Sequence, residues 1–364
     1  MRFPILILVA AVLMAGCQIS TETDEAYDPA SDTLKYDDET HLRNVRQLTS
    51  GGNNAEAYFS FDGEKLVFQS DYSGWNVNCD QIFFTRLSEG PMHERRPEML
   101  STGQGRTTCS YFMPGDSTIV YSSTHGQQLQ CPEAPERRQG DAYVWPIYDT
   151  YDIYTADLQG NILDTLTTGG GYDAEPTVSP AGDKIVFTSL RSGDLELYTM
   201  NLDGSGLTQI TDELGYDGGA FFSPDGSQIV FRASRPETPD EISRYRELLA
   251  KGLVEPTDME LFLVNADGSN LRQITDLGGA NWAPYFHPSG EKIIFSSNHA
   301  SPRGFPFNLY LINLDGSGLE QITHDGVFDA FPMFSPDGSR LVFSSNRHNG
   351  QTDATNIFVA DWVE

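Results

Sequence analysis

An all-β, six-bladed β-propeller of four-stranded antiparallel blades is the fold this sequence predicts, and three observations predict it. The first is a hairpin unit present six times: YFSFDGEKLVFQS from Tyr58, YFMPGDSTIVYSS from Tyr111, TVSPAGDKIVFTS from Thr177, FFSPDGSQIVFRAS from Phe221, YFHPSGEKIIFSS from Tyr285 and FPMFSPDGSRLVFSS from Phe331. One such unit cannot bury its apolar face alone, so six copies imply an array in which each packs on its neighbours. The second is spacing. The central aromatic of each second arm (Phe68, Tyr121, Phe187, Phe231, Phe295, Phe343) recurs at intervals of 44 to 66 residues, and the shortest matches one four-stranded blade. The third is closure: the last blade stops after Asn356 to Asp361, short of an outer strand, and Leu42 to Leu48 supplies a strand before the first blade. Joining the two closes the ring and removes exposed edges.

Each element has a local reason. In Ser335-Pro336-Asp337-Gly338 the proline presets φ and the glycine tolerates the positive φ of a tight reversal. The arms on either side are β-branched and aromatic, as a pleated, half-buried surface requires. Third strands read Asp152-Ile153-Tyr154, Glu196-Leu197-Tyr198, Glu260-Leu261-Phe262 and Asn308-Leu309-Tyr310. Asp203-Gly204, Asp267-Gly268 and Asp315-Gly316 follow them, strong hairpin-turn dipeptides. Fourth strands end in Gln209-Ile210-Thr211, Gln273-Ile274-Thr275 and Gln321-Ile322-Thr323, and Gln47-Leu48-Thr49 repeats that ending ahead of blade 1.

Taken in order, Asp-Gly-Ser-Gly, Gln-Ile-Thr, Ser-Pro-Asp-Gly and Phe-Ser-Ser-Asn-Arg resemble the repeat of the TolB-type β-propellers, a branch of the WD-like repeats of bacterial exported proteins. The resemblance spans roughly residues 42 to 364 and speaks for the repeat more than for a function. Blade 2 departs from it, with Met113-Pro114-Gly115-Asp116 at the turn. The blades are expected to follow the leader and tether directly, with no domain of the kind that precedes them in TolB itself.

Two insertions interrupt the repeat, each between a second and a third strand, so both leave one face of the disc. The first, about His125 to Thr150 in blade 2, carries Cys131 and the aromatics Tyr143, Trp145 and Tyr148. The second, about Arg235 to Asp258 in blade 4, holds a short helix. Thr238 is its cap, Pro239 its first turn, Glu241 completes a capping box, and Ile242, Tyr245, Leu248 and Leu249 share one face before Gly252 ends it.

Residues 1–16 read as a secretory leader: Arg2, an apolar run from Ile5 to Met14, then Ala15-Gly16 before Cys17. The Leu13-Met14-Ala15-Gly16-Cys17 run resembles a bacterial lipobox, which implies lipidation of Cys17, and Gln18 after it implies outer-membrane sorting. Residues 17–40, acidic and nearly without apolar side chains, are expected to be a disordered tether, leaving 41–364 to the propeller. A formal charge of −29 repels nucleic acid and anionic headgroups. An oxidising compartment favours disulfides. Cys79, Cys109 and Cys131 allow one bond and the spacing leaves its partners open; Cys109 with Cys131 is the candidate, since that pair would brace the insertion of blade 2.

Functional candidates gather on the insertion-bearing face. The aromatics Tyr143, Trp145 and Trp282, with His125, Arg191, Arg235, His299 and Arg347 after the second strands, form the expected ligand face. Asp173, Asp217 and Asp329 belong to a ring of six equivalent positions, with Asn54, Thr107 and Asn281, at the channel mouth. Carboxylate and amide oxygens there suit Ca2+ or another divalent cation, although an Asx-type turn cap explains the same residues. No G-x-S-x-G elbow, phosphate loop, dinucleotide fingerprint or paired zinc motif occurs, and no αβ domain follows the blades before Glu364. The expectation is a monomeric, non-enzymatic binding or scaffold module of the cell envelope, on the periplasmic side of the outer membrane, holding a protein segment or polysaccharide. The alternative is a propeller lyase or hydrolase acting on polysaccharide or peptide with a divalent cation, through the histidines and arginines of that face.

Overall fold

The structure, a computed structural model, describes residues 31–364 other than 93–94, 140–141, 170, 302–303, 325, 351 and 353. The leader, Cys17 and the tether as far as residue 30 lie outside the described residues. Six four-stranded antiparallel sheets form six blades, with innermost strands Asn54–Phe59, Thr107–Phe112, Asp173–Val178, Asp217–Phe222, Asn281–Phe286 and Asp329–Phe334. Leu42–Gln47 pairs with Asn356–Trp362 as the outer strand of blade 6, with Leu42 opposite Trp362, closing the ring as the sequence predicts. Among the described residues no helix is long and apolar enough to cross a membrane.

All six marker aromatics are fully buried. The Gln-Ile-Thr ending has a mechanical role. Each threonine hydroxyl accepts from the backbone N–H of the third strand beside it: Leu197 to Thr211 at 2.9 Å, Leu261 to Thr275 at 2.8 Å, Leu309 to Thr323 at 2.9 Å. Thr49 does the same for Ile357 at 2.9 Å, so the closing strand is locked as the internal ones are. These side chains satisfy backbone donors where the ladder runs out.

A bulge marks every innermost strand. The register slips between Ala55 and Tyr58, and at the equivalent place in the other five blades. The residue at the slip is left-handed in each: Glu56, Cys109, Glu175, Gly219, Ala283 and Phe331, with φ between 44° and 60°. A bulge re-aims side chains, and these six turn toward the channel.

The chain packs on the disc from Ser31, earlier than its composition suggests. Glu39 is fully buried, receiving Arg347 Nη1 at 3.0 Å and Nη2 at 2.8 Å, while Tyr36 stacks on His348. A guanidinium fork matched to one carboxylate, with Leu34 packed on the core of blade 6, holds this mostly polar segment.

Candidate binding site at the lidded end of the channel

The two insertions meet. Trp145 and Pro146 of the first pair antiparallel with Val254 and Leu253 of the second, and the Ile147 N–H donates to the Gly252 carbonyl at 2.7 Å. Behind this ribbon lies the helix Pro239–Leu249, with the capping box of Thr238 and Glu241 in place and Tyr245 and Leu248 buried. The Tyr245 hydroxyl is hydrogen-bonded to Asp194 of blade 3, which seats the helix on the disc. Trp282 of blade 5 completes the lid, 4.9 Å from Trp145 and 4.4 Å from Phe307 between ring centroids, its indole N–H donating to the Pro256 carbonyl at 2.8 Å.

Under the lid is a chamber of about 300 Å³. Its floor is an aromatic plug of Tyr58, Tyr111, Phe221 and Tyr285, with centroid separations from 5.1 to 6.2 Å. Beyond the plug a second chamber of about 190 Å³ opens toward the proline turns and has an apolar, aromatic lining. All six bulge residues line the lidded chamber.

Its charges are arranged in pairs with one left over. Arg232 donates through Nη2 to Glu175 Oε1 at 2.7 Å and to the Tyr216 hydroxyl at 2.8 Å. Glu175 Oε2 takes the Gly219 N–H and the Thr188 hydroxyl, both at 2.8 Å. Burial alone would raise the Glu175 carboxyl, but Arg232 and these donors hold it below its ordinary pKa. Glycine is required opposite: a Cβ on Gly218 would stand 2.4 Å from Glu175 Oε2, and one on Gly219 2.8 Å from Arg232 Nη1. Arg106 pairs with Asp80 across blades 2 and 1; burial leaves that carboxyl raised despite its partner.

Glu56 is the remainder. It accepts the Cys109 N–H at 3.1 Å, and among the described residues no Lys, Arg or His comes within ion-pair distance of it. Its carboxyl faces the chamber rather than bulk water. Desolvation, reinforced by Glu175 and Asp80 and opposed by the Cys109 hydrogen bond and Arg232, pushes it up to about 7. Burial, with Glu56 and Glu175 beside it, pushes the Cys109 thiol well above its usual value, so it is not a ready nucleophile.

Of the residues marked in the sequence, Trp145 and Trp282 line the chamber, and Tyr143 stands behind Trp145, accepting its indole N–H at 3.4 Å. The others act within their own blades. Arg191, Arg235 and Arg347 pair with Asp173, Asp217 and Asp329, the first and third at 2.8 and 3.2 Å. The three aspartates marked for a metal are thereby each committed to an arginine, and among the described residues no three His, Cys, Asp or Glu gather to hold an ion. His125 and His299 fill the arginine position in blades 2 and 5, each ring on a third-strand tyrosine, Tyr154 at 4.2 Å and Tyr310 at 4.6 Å. Neither lines either chamber. The expected disulfide is corrected: Cys131 bonds Cys79, Cα atoms 6.0 Å apart, and Cys109 is free. Cys109 is the bulge residue of blade 2, turned into the channel, whereas Cys79 precedes the third strand of blade 1 on the insertion-bearing face.

Glu56, Glu175, Arg232, Arg106 and Asp80 were not singled out from sequence. Two signals point to three of them, Glu56, Glu175 and Arg232, and none to Arg106 or Asp80. The position after the marker aromatic is Ser or Thr in four blades but Gln69 and Arg232 in the others, and both line the chamber. Two residues beyond the aligned mouth ring, blades 1 and 3 carry glutamate where the rest carry Cys, Gly, Ala and Phe.

Residues 153–243 and 253–359 match the TolB beta propeller domain, more than half of the chain. The chain belongs to the TolB beta propeller domain family. Both matched stretches leave out the first insertion and residues 244–252 of the second. No curated protein matches the chain. Among solved structures it is similar to a protein from Agrobacterium tumefaciens assigned as TolB, at 20% identity and a TM-score of 0.55, over 86% of this chain and 91% of that one. TolB from Acinetobacter baumannii is similar at 16% identity and a TM-score of 0.51, over 85% of this chain and 63% of that one. An oligogalacturonate lyase in complex with manganese aligns at 14% identity and a TM-score of 0.48, over 88% and 91%.

Proposed function

We propose that this TolB-family propeller is a non-enzymatic binding module of the cell envelope that takes a peptide segment into the lidded chamber. The observation that carries the reading is the lid. Two insertions from blades 2 and 4 pair over one channel end and roof its chamber, whereas no insertion residue lines the smaller chamber at the other end. Ring closure needs neither insertion, and enclosed, mostly apolar chambers with a few convergent polar groups are the usual form of a ligand site. A peptide fits better than a polysaccharide strand. Sugar rings need flat, open aromatic faces, whereas Trp282 is sandwiched between Trp145 and Phe307. Lipidation at Cys17, with residues 18–30 as tether, would hold the module at the outer membrane; labelling with radioactive palmitate, lost in Cys17→Ser, tests the anchor.

The binding test is a fluorescence titration of the protein with a tetrapeptide mixture and, separately, with an oligosaccharide mixture. The expected result is a tryptophan signal with peptides that weakens about tenfold or more in Trp145→Ala, as for an aromatic anchor. Saturable binding of oligosaccharides without peptides, or peptide binding indifferent to Trp145→Ala, contradicts the reading.

A further inference from the structure

The chamber carries three carboxylates, Glu56, Asp80 and Glu175, against two guanidiniums, Arg106 and Arg232. Two ion pairs consume both guanidiniums, Asp80 with Arg106 and Glu175 with Arg232. What remains is one carboxylate at the bulge of blade 1, held in place by the Cys109 N–H and walled by aromatic rings. An ionised carboxylate withdrawn from water is costly unless a charge meets it. Here the protein meets every other one and leaves Glu56.

We propose that the lidded chamber recognises a monocationic ammonium group, with Glu56 as its counter-ion and the neighbouring tyrosine and tryptophan rings as its walls. This inference rests on the binding-module reading and adds the chemistry of the ligand. Aromatic walls attract cations through their negative faces, most strongly where water is excluded, and the pattern of carboxylate plus rings suits an alkylammonium or quaternary ammonium. Arg232 demonstrates the compatibility of this lining with cations, lying 4.6 Å from the Tyr216 centroid and 5.7 Å from that of Trp145. A second guanidinium is disfavoured, because its planar fork wants two acceptors and Glu56 already spends one oxygen on Cys109. The formal charge of −29 draws cations to the disc as a whole, and the chamber gives one of them a fixed seat. On a peptide the group is either a lysine side chain or a free amino terminus.

The test is titration calorimetry on the full chain with five probes. Choline is compared with its uncharged carbon isostere 3,3-dimethylbutan-1-ol. Free Gly-Ala-Ala-amide, its N-acetylated form and N-acetyl-Gly-Lys-Gly-amide separate the amino terminus from lysine. The expected result is a preference of about tenfold or more for choline over its isostere, and for one of the two cationic peptides over the acetylated neutral one. Glu56→Gln, which keeps shape and loses charge, is expected to abolish the preference with an unchanged circular-dichroism spectrum. Equal affinity for choline and its isostere overturns the inference, and does so without needing any variant to fold. If the acetylated neutral peptide binds as well as the cationic ones, the ammonium chemistry is wrong while the peptide-binding reading stands. Binding of no probe up to millimolar concentration overturns both.

Discussion

At the channel mouth Asp173, Asp217 and Asp329 each meet the arginine that follows the next strand of the same blade, whereas two residues further along the innermost strand of blade 1 Glu56 meets no cation among the described residues. Both positions recur six times around the ring, but they are supplied differently. The mouth pairs arise inside one hairpin, come with every copy of the repeat that carries them and hold the disc; in blade 6 Arg347 serves Glu39 of the N-terminal segment as well. At the bulge, partners come from a neighbouring blade, as Arg232 of blade 4 does for Glu175 of blade 3. Such a partner exists only where one blade breaks the pattern. Charge left over at an unrepeated position is what the protein has available for a ligand.

The comparison is tested most severely in blade 6. Arg347→Ala strands Glu39 and Asp329, both fully buried, and is expected to cost about 3–5 kcal/mol in urea denaturation. A loss under 1 kcal/mol would mean that the mouth pairs do not hold the disc. Glu56→Gln should act in the opposite sense. The folded-state pKa of Glu56 is raised, so the stability it contributes is present below about 4.5 and is lost as pH rises through about 7. Between pH 4 and pH 8 the variant is expected to gain about 2 kcal/mol on the native protein, a figure reduced for the partial exposure of the group. Parallel stability curves for the two would show that folding does not raise the Glu56 carboxyl.

A smaller effect follows from Gly219. An added methyl meets Arg232 Nη1 and must also accept a φ of 60°, so Gly219→Ala should destabilise by about 1–2 kcal/mol and displace the Glu175 pair. Calorimetric melting checks it. Least of all, Arg191→Ala should cost about 1 kcal/mol or less, because that guanidinium is a quarter exposed while Arg347 is not exposed at all. Equal losses for Arg191→Ala and Arg347→Ala would remove the distinction between exposed and buried mouth pairs.

The blades were legible because each repeats the same local physics: Pro and Gly at the turn, Asp-Gly at the outer hairpin, a threonine that closes the third strand. Helix Pro239–Leu249 was legible for the same reason, since its capping box is a spacing of three residues. The chamber was not, because the bulge turns Glu56 and Glu175 into the channel and a strict alternation of two hides that. Neither could the pairing of Trp145 and Pro146 with Val254 and Leu253 be read across the hundred or so residues that separate them. The partner of Cys131 is hidden for a similar reason, as Cys79 lies in blade 1 and the bond crosses between blades.

The measurement that tests the central claim most directly is the ionisation of Glu56 itself, followed by carbon-13 NMR of glutamate-labelled protein and assigned by difference from Glu56→Gln. The account predicts a carboxyl titrating near pH 7 in the free protein, falling toward the ordinary range when choline is saturating. A carboxyl titrating near 4.5 in the free protein and unmoved by choline would contradict it.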